Sequence, residues 1–226
     1  MMLVTDMATA TVTVTATVTA GVSPIINKER GSVVYKVVKR LFDIGISFLL
    51  LIILMVPMIV IFFTILISTK EPPIFKQKRF GMNSREFVLF KFRTMTVSAP
   101  ILANKEFNDM SQYLTTFGKF LRNTSLDEIP QVINILKGEM SFIGPRPLAG
   151  TDLRVIELRK ESGADLVRPG ITGLAQVNGR NSLTDDEKAA FDAEYVHNIS
   201  FFTDLKIMLM TVYKVAIQDG IYKKSE

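Results

Sequence analysis

Ile44–Thr69 reads IGISFLLLIILMVPMIVIFFTILIST, twenty-six residues without one charge. At roughly 1.5 Å per residue, a straight helix of that length reaches about 39 Å, more than the roughly 30 Å hydrocarbon core of a bilayer. A buried core helix so long and so apolar does not suit a chain of 226 residues, so the segment is read as membrane-inserted. Lys36, Lys39 and Arg40 stand before it, and Lys70, Lys76, Lys78 and Arg79 after it. A spanning helix keeps its positive flank on the cytoplasmic side, yet here both flanks are basic. Pro57 sits at the midpoint, where it removes a helix hydrogen bond and favours a bend. The expectation is a re-entrant membrane helix over 31–70, broken at Pro57, that enters and leaves by one face. A kinked spanning helix is the alternative, because proline is tolerated in such helices.

On the N-terminal side, Thr fills every odd position from Thr9 to Thr19 with Ala or Val between. Alternation is a strand pattern, but no pairing partner stands nearby and the complexity is low. Residues 1–30 are read as a mobile N-terminal tail. On the C-terminal side, residues 71–226 have the length and apolar content of one domain. The whole chain holds no Cys and one His, which excludes disulfides, thiol nucleophiles, Cys-ligated metals and multi-His metal sites. Its net charge of +5 favours anionic partners such as phosphates, nucleotides or an anionic membrane face.

Seven cations and two acids fall between Lys70 and Met95. Phe87–Met95 (FVLFKFRTM) reads as an aromatic-rich strand, with Phe90 and Phe92 on one face and Lys91 and Arg93 on the other. Lys76, Lys78 and Arg79 suit a solvated or lipid-headgroup rim. Lys91 and Arg93 interrupt an apolar strand, which points to phosphate binding.

The most informative chemical stretch is Arg122-Asn-Thr-Ser-Leu-Asp-Glu-Ile-Pro-Gln131. Ile129, Val132, Ile133 and Leu136 form an apolar helix face, Gly138 is a stop signal, and Pro130 is tolerable only in a first turn. A helix beginning near 125–128 follows, capped by Ser125 with Glu128 or by Asp127. Both carboxylates then lie at a helix N-terminus, where free N–H groups and the dipole favour the ionised form. One can face a reacting phosphorus while its neighbour holds a metal, and Arg122 can neutralise phosphate oxygens. Helix capping alone is the plainer reading of the pair.

Further on, Gly144-Pro-Arg-Pro147 holds Arg146 between two prolines. Arg168-Pro-Gly-Ile-Thr-Gly-Leu-Ala-Gln-Val-Asn-Gly-Arg-Asn181 carries Arg168 and Arg180, with glycines that permit close approach to a ligand. Thr184 and Glu187 fit a capping box, which makes Asp185, Asp186 and Glu187 helix-start charges rather than metal ligands. Phe201–Val215 is a helix lying on the core or in the membrane interface. His197 reads as a loop or packed residue. No Walker A loop, Gly-x-Gly-x-x-Gly or Asp-x-Asp is present.

The stretches KRLFDIGIS, FKQKRFG, FKFRTM, TSLDEIPQVINILKGEMSFIGPRPL and RPGITGLAQVNGRN and the final DLKI, with the Pro57 segment, resemble in this order the bacterial sugar transferases known as small monotopic phosphoglycosyl transferases. The resemblance runs from Lys39 to about Gly220. It implies a mostly helical α/β fold with a small strand element, amphipathic interfacial helices and a re-entrant helix, facing the cytoplasm at the bacterial inner membrane. It implies transfer of a sugar 1-phosphate from a UDP-sugar to polyprenol phosphate with release of UMP, the first membrane step of glycan assembly. Asp127 would be the nucleophile that carries a covalent phosphosugar, Glu128 a catalytic residue and Mg²⁺ ligand, and Arg122 and Arg146 substrate binders. Anionic lipids and downstream glycosyltransferases join the expected partners; nucleic acid does not. Members often carry Trp around 185–202, where this chain has Asp186 and Phe202, so the sugar stays unassigned. A lipid-pyrophosphate hydrolase and a non-catalytic membrane adaptor are the competing classes. UMP release that depends on added polyprenol phosphate separates them from the transferase.

Overall fold

The structure, a computed structural model, describes residues 33–100, 111–179 and 182–217; the tail 1–30 and Arg180 lie outside them. It is mostly helical with two small sheets. Helix α1, Val33–Thr69, runs helical through Pro57. Two antiparallel strands follow, β1 (Ile74–Phe80) and β2 (Glu86–Phe92), in the register Phe75↔Lys91, Gln77↔Leu89 and Arg79↔Phe87. The chain continues through α2 (Thr116–Asn123) and α3 (Gln131–Lys137) to β3 (Ser141–Ile143). Helix α4 (Leu153–Ser162) precedes β4 (Gly170–Thr172), which lies parallel to β3. Helices α5 (Leu174–Asn178), α6 (Asp185–His197) and α7 (Phe201–Ala216) close the described chain.

Alternation divides the hairpin as the sequence suggests. Leu89 is buried on one face with Ile135 and Met140, and Phe92 on the other with Ile61, Ile65 and Leu121. The strand ends at Phe92 rather than Met95; beyond it Met95 keeps only an isolated bridge to Leu114. Asn134 of α3 completes the free edge of β2: its Oδ1 accepts the Phe90 N–H at 3.1 Å, and its Nδ2 donates to the Val88 carbonyl at 2.7 Å. One side chain thereby satisfies two backbone groups that an edge strand leaves open.

Both ends of α1 pack on this domain and its middle does not. Near the start, Asp43 accepts from Ser141 Oγ and the Phe142 N–H, while Tyr35 and Lys39 donate to Asp204 of α7. Near the end, Ile61 and Ile65 join the core beneath Phe92. No residue from Phe48 to Val60 is buried.

Two local expectations change. The helix expected from 125–128 starts at Gln131, and Leu126–Glu128 forms a separate 3₁₀ turn. Pro130 has no N–H to give the Leu126 carbonyl, so Ile129 N–H bonds it instead at 3.3 Å. Ser125 adopts φ 57° and makes no side-chain cap, so no capping box forms there. The buried side of α3 holds Val132, Asn134 and Ile135, whereas Ile133 is exposed. The box at Thr184–Glu187 does form, and Gly138 ends α3 at φ 85°.

Candidate active site

The 3₁₀ turn at 126–128 places Asp127 inside the protein, 8% exposed, with Glu128 beside it. Lys91 reaches across from β2 and its Nζ meets Glu128 Oε1 at 2.6 Å. Arg122, near the end of α2, donates through Nε to Thr94 Oγ1 at 2.9 Å and acts electrostatically on Asp127. Burial pushes the Asp127 carboxyl up to about 6, and the charge of Glu128 adds to the rise; Lys91 and Arg122 oppose it. The sequence pointed the other way, to a carboxylate kept ionised by a helix terminus. Asp127 instead sits in a turn that stops before α3 begins, and loss of water dominates.

Glu128 and Lys91 open onto a cleft that Arg79, Gln131 and Arg146 also line. It is open to solvent, and four charged side chains stand in its lining, Arg79, Lys91, Glu128 and Arg146. It suits the charged part of a ligand. Arg146 projects from a loop whose flanking Pro145 and Pro147 are buried. Arg159 holds that loop by donating to the Arg146 carbonyl at 2.9 Å, and is itself paired with buried Asp192 at 2.6 Å.

The structure thus gathers Lys91, Arg122, Asp127, Glu128 and Arg146. It does not bring Arg93 or Arg168 to the cleft. Arg93 donates to the Pro72 carbonyl and lies 5.9 Å from the centre of the Phe75 ring. Arg168 donates to the Gly138 carbonyl at the far end of α3, where Arg40 also holds the Ile135 and Leu136 carbonyls. These two arginines satisfy carbonyls that a helix C-terminus leaves open. The glycines of Gly170-Ile-Thr-Gly173 serve backbone packing, and Gly170 also lines the cleft. A Cβ at Gly170 would lie 2.1 Å from the Gly144 N, and one at Gly173 2.1 Å from the Gly144 O. They let β4 press against the start of the Arg146 loop. His197 is exposed, with Nδ1 2.6 Å from the Ala193 carbonyl oxygen, within hydrogen-bond reach.

Arg79 is the site residue the sequence reading missed, having assigned it to the rim. Lys76 and Lys78 do lie outside, and Lys78 pairs with Glu86. Arg79 shares the opposite face with Gln77, Leu89 and Lys91. The signal was available: odd-numbered positions of FKQKRF fall on the face of Lys91 once the hairpin register is set.

Residues 34–218 match the family described as bacterial sugar transferase. The chain is 41% identical over 188 residues to the sugar transferase EpsL of Bacillus subtilis, covering 82% of this chain and 90% of that one. It is 40% identical over 202 residues to a UDP-glucose:undecaprenyl-phosphate glucose-1-phosphate transferase of Klebsiella pneumoniae, covering 82% of this chain and 42% of the relative. It is 36% identical over 206 residues to an undecaprenyl-phosphate galactose phosphotransferase of Salmonella typhimurium, covering 81% and 41%. The chain therefore spans about two fifths of those longer relatives.

Proposed function

The chain belongs to the bacterial sugar transferase family, and from that premise we propose that it transfers a sugar 1-phosphate from a UDP-sugar to polyprenol phosphate, releasing UMP. The observation that carries this reading is the buried Asp127 carboxyl, on which Arg122, Lys91 and Glu128 all act, next to a cleft with two further arginines.

The chemistry follows from charge. An Asp127 oxygen attacks the sugar-bearing phosphorus, the phosphorus–oxygen bond to the nucleotide's own phosphate breaks, and UMP leaves with the electron pair. An oxygen of polyprenol phosphate then attacks the aspartyl phosphosugar, and the Asp127 carboxylate is restored. Each step exchanges one anion for another, so no proton has to be moved. The site must instead orient the groups and cancel negative charge. That demand suits Arg79, Lys91, Arg122 and Arg146, and it leaves His197 with no task.

The donor set also suits Mg²⁺. This ion is commonly held by one or two carboxylates together with substrate phosphates rather than by an all-protein cage. Glu128, with Asp127 next to it, offers that arrangement, and among the described residues no cluster of three acids or histidines is built. When bound, the ion would supply charge stabilisation to the phosphates. Glu128 would then exchange its Lys91 partner for the metal.

The packing of α1 supports a re-entrant seat at the cytoplasmic face of the bacterial inner membrane. Its two ends meet the same domain while its apolar middle stands clear. Helix α7 supports the interfacial reading: Asp204 and Ile207 face the protein, while Phe201, Phe202, Leu209 and Val212 are exposed. The outward Lys76 and Lys78 suit anionic headgroups. Which sugar is carried, and into which glycan, is the business of a substrate panel. UMP release should appear with one UDP-sugar of the panel and depend on added polyprenol phosphate. Release that continues unchanged without the lipid would make the protein a hydrolase.

A further inference from the structure

A bridge between two distant chain segments brings two arginines to one cleft. Phe80 forms an isolated antiparallel bridge with Leu148, its N–H donating to the Leu148 carbonyl at 2.9 Å. The residue before Phe80 is Arg79, and two before Leu148 is Arg146. Both line the cleft. Arg79 is largely withdrawn from water, and that burial together with the neighbouring Arg146 lowers its guanidinium to about 10. Gln77 fixes it from two positions along the same strand: Gln77 Oε1 accepts from Arg79 Nε at 3.2 Å and from Nη2 at 2.7 Å. A guanidinium has five N–H donors, so three remain to be used. Among the described residues, no carboxylate is within ion-pair distance of Arg79. Withdrawing one guanidinium from water near a second positive charge, without a close counter-ion, is costly unless an anion arrives.

We propose that Arg79, aimed by Gln77 and sharing its cleft with Arg146, binds the diphosphate of the nucleotide substrate and holds the phosphate that departs with the nucleoside. The inference rests on the transferase reading and adds a residue and a division of labour to it. The cleft lining carries Arg79, Lys91 and Arg146 against Glu128, a balance of two positive charges that complements the two negative charges of a sugar diphosphonucleotide. Arg122 and Lys91 are the cations that act on the attacking Asp127, whereas Arg79 feels Glu128 and Asp152. In-line displacement puts the departing oxygen opposite the attacking one. Arg122 thus serves the attacking side and Arg79 the departing side, with Gln77 as a positioning residue.

The test uses the full chain in lipid nanodiscs with Mg²⁺, titrated separately with UDP and with inorganic pyrophosphate, alongside UMP release from a UDP-sugar. Arg79→Met should weaken both ligands by about ten-fold or more, the scale of losing a charge-assisted bond. Arg79→Lys should recover only part of this, because lysine cannot present a fork. Gln77→Leu should weaken binding less than Arg79→Met and raise KM more than it lowers kcat. Wild-type affinity for both ligands in Arg79→Met overturns the proposal. If that variant does not fold, wild-type affinity in Arg79→Lys overturns it. A wild-type protein that binds neither ligand also overturns it. Pyrophosphate binding that depends on Arg79, with no UMP released from any UDP-sugar, would instead sink the transferase reading and leave the anion site standing.

Discussion

At Asp127, burial raises the carboxyl to about 6 while Lys91 and Arg122 draw it down. The nucleophile proposed here works only when ionised, so UMP release should fall as pH drops through about 6. Lys91→Met removes a charge that lowers the value, so the acid limb of its remaining activity should move to higher pH. Glu128→Gln removes one that raises it, and its limb should move to lower pH. A limb near the ordinary aspartate value of about 4, unmoved by either change, would contradict this assignment. The same shift has a consequence for stability. The folded state binds this proton more tightly than the unfolded chain, so above about pH 6 the ionised carboxylate costs stability. Asp127→Asn should therefore unfold at the same temperature or higher while UMP release falls by orders of magnitude; a clearly lower Tm would mean that Asp127 is structural. The gathering of Asp127, Glu128, Arg122 and Lys91 was foreshadowed because each stands out from its local pattern. The direction of the Asp127 shift was not, since burial is decided by segments distant in sequence.

Helix α3 joins the acidic turn at one end to the membrane helix at the other, where Arg40 and Arg168 hold its last carbonyls. The Arg146 loop hangs on the Arg159–Asp192 pair in the same way. Arg159→Met would strand Asp192, which is 1% exposed, and should cost about 3–5 kcal/mol in chemical unfolding, the scale for a buried pair losing one partner. A loss under about 1 kcal/mol, the level of a surface pair, would refute that role. Elements whose signals are local were legible: the Thr184 capping box, the Gly138 stop and the alternation of the hairpin. The start of α3 was not, because the left-handed turn at Ser125 breaks the pattern before Pro130 can open a helix. That Arg168 meets a helix-end carbonyl was not legible, because that carbonyl lies thirty residues upstream.

Over the whole molecule, the long apolar helix α1 is built into the rest of the fold through polar contacts at one end and apolar contacts at the other. The long apolar run and the two basic flanks were legible in the sequence as a membrane element. Its docking was not, since Asp43 and Asp204 find their partners only in the folded chain. The chain has no Cys, so single cysteines report cleanly. Cysteines replacing exposed Val34 and exposed Glu86 should both resist a membrane-impermeant reagent in intact cells and both react once the cells are opened. Labelling of one from outside would make α1 a spanning helix. Pro57→Leu should increase that outside labelling, because it restores a helix hydrogen bond whose loss favours a bend.

The central claim is that Asp127 attacks phosphorus, and trapping the intermediate tests it most directly. Wild-type protein mixed with its UDP-sugar, without polyprenol phosphate, and quenched rapidly should gain the mass of one sugar phosphate. The added group should map to the peptide holding Asp127, and up to one equivalent of UMP should be released. Asp127→Asn should gain nothing. Wild-type protein that never carries the added mass, together with kinetics showing both substrates bound at once, would contradict the account and make direct transfer the mechanism.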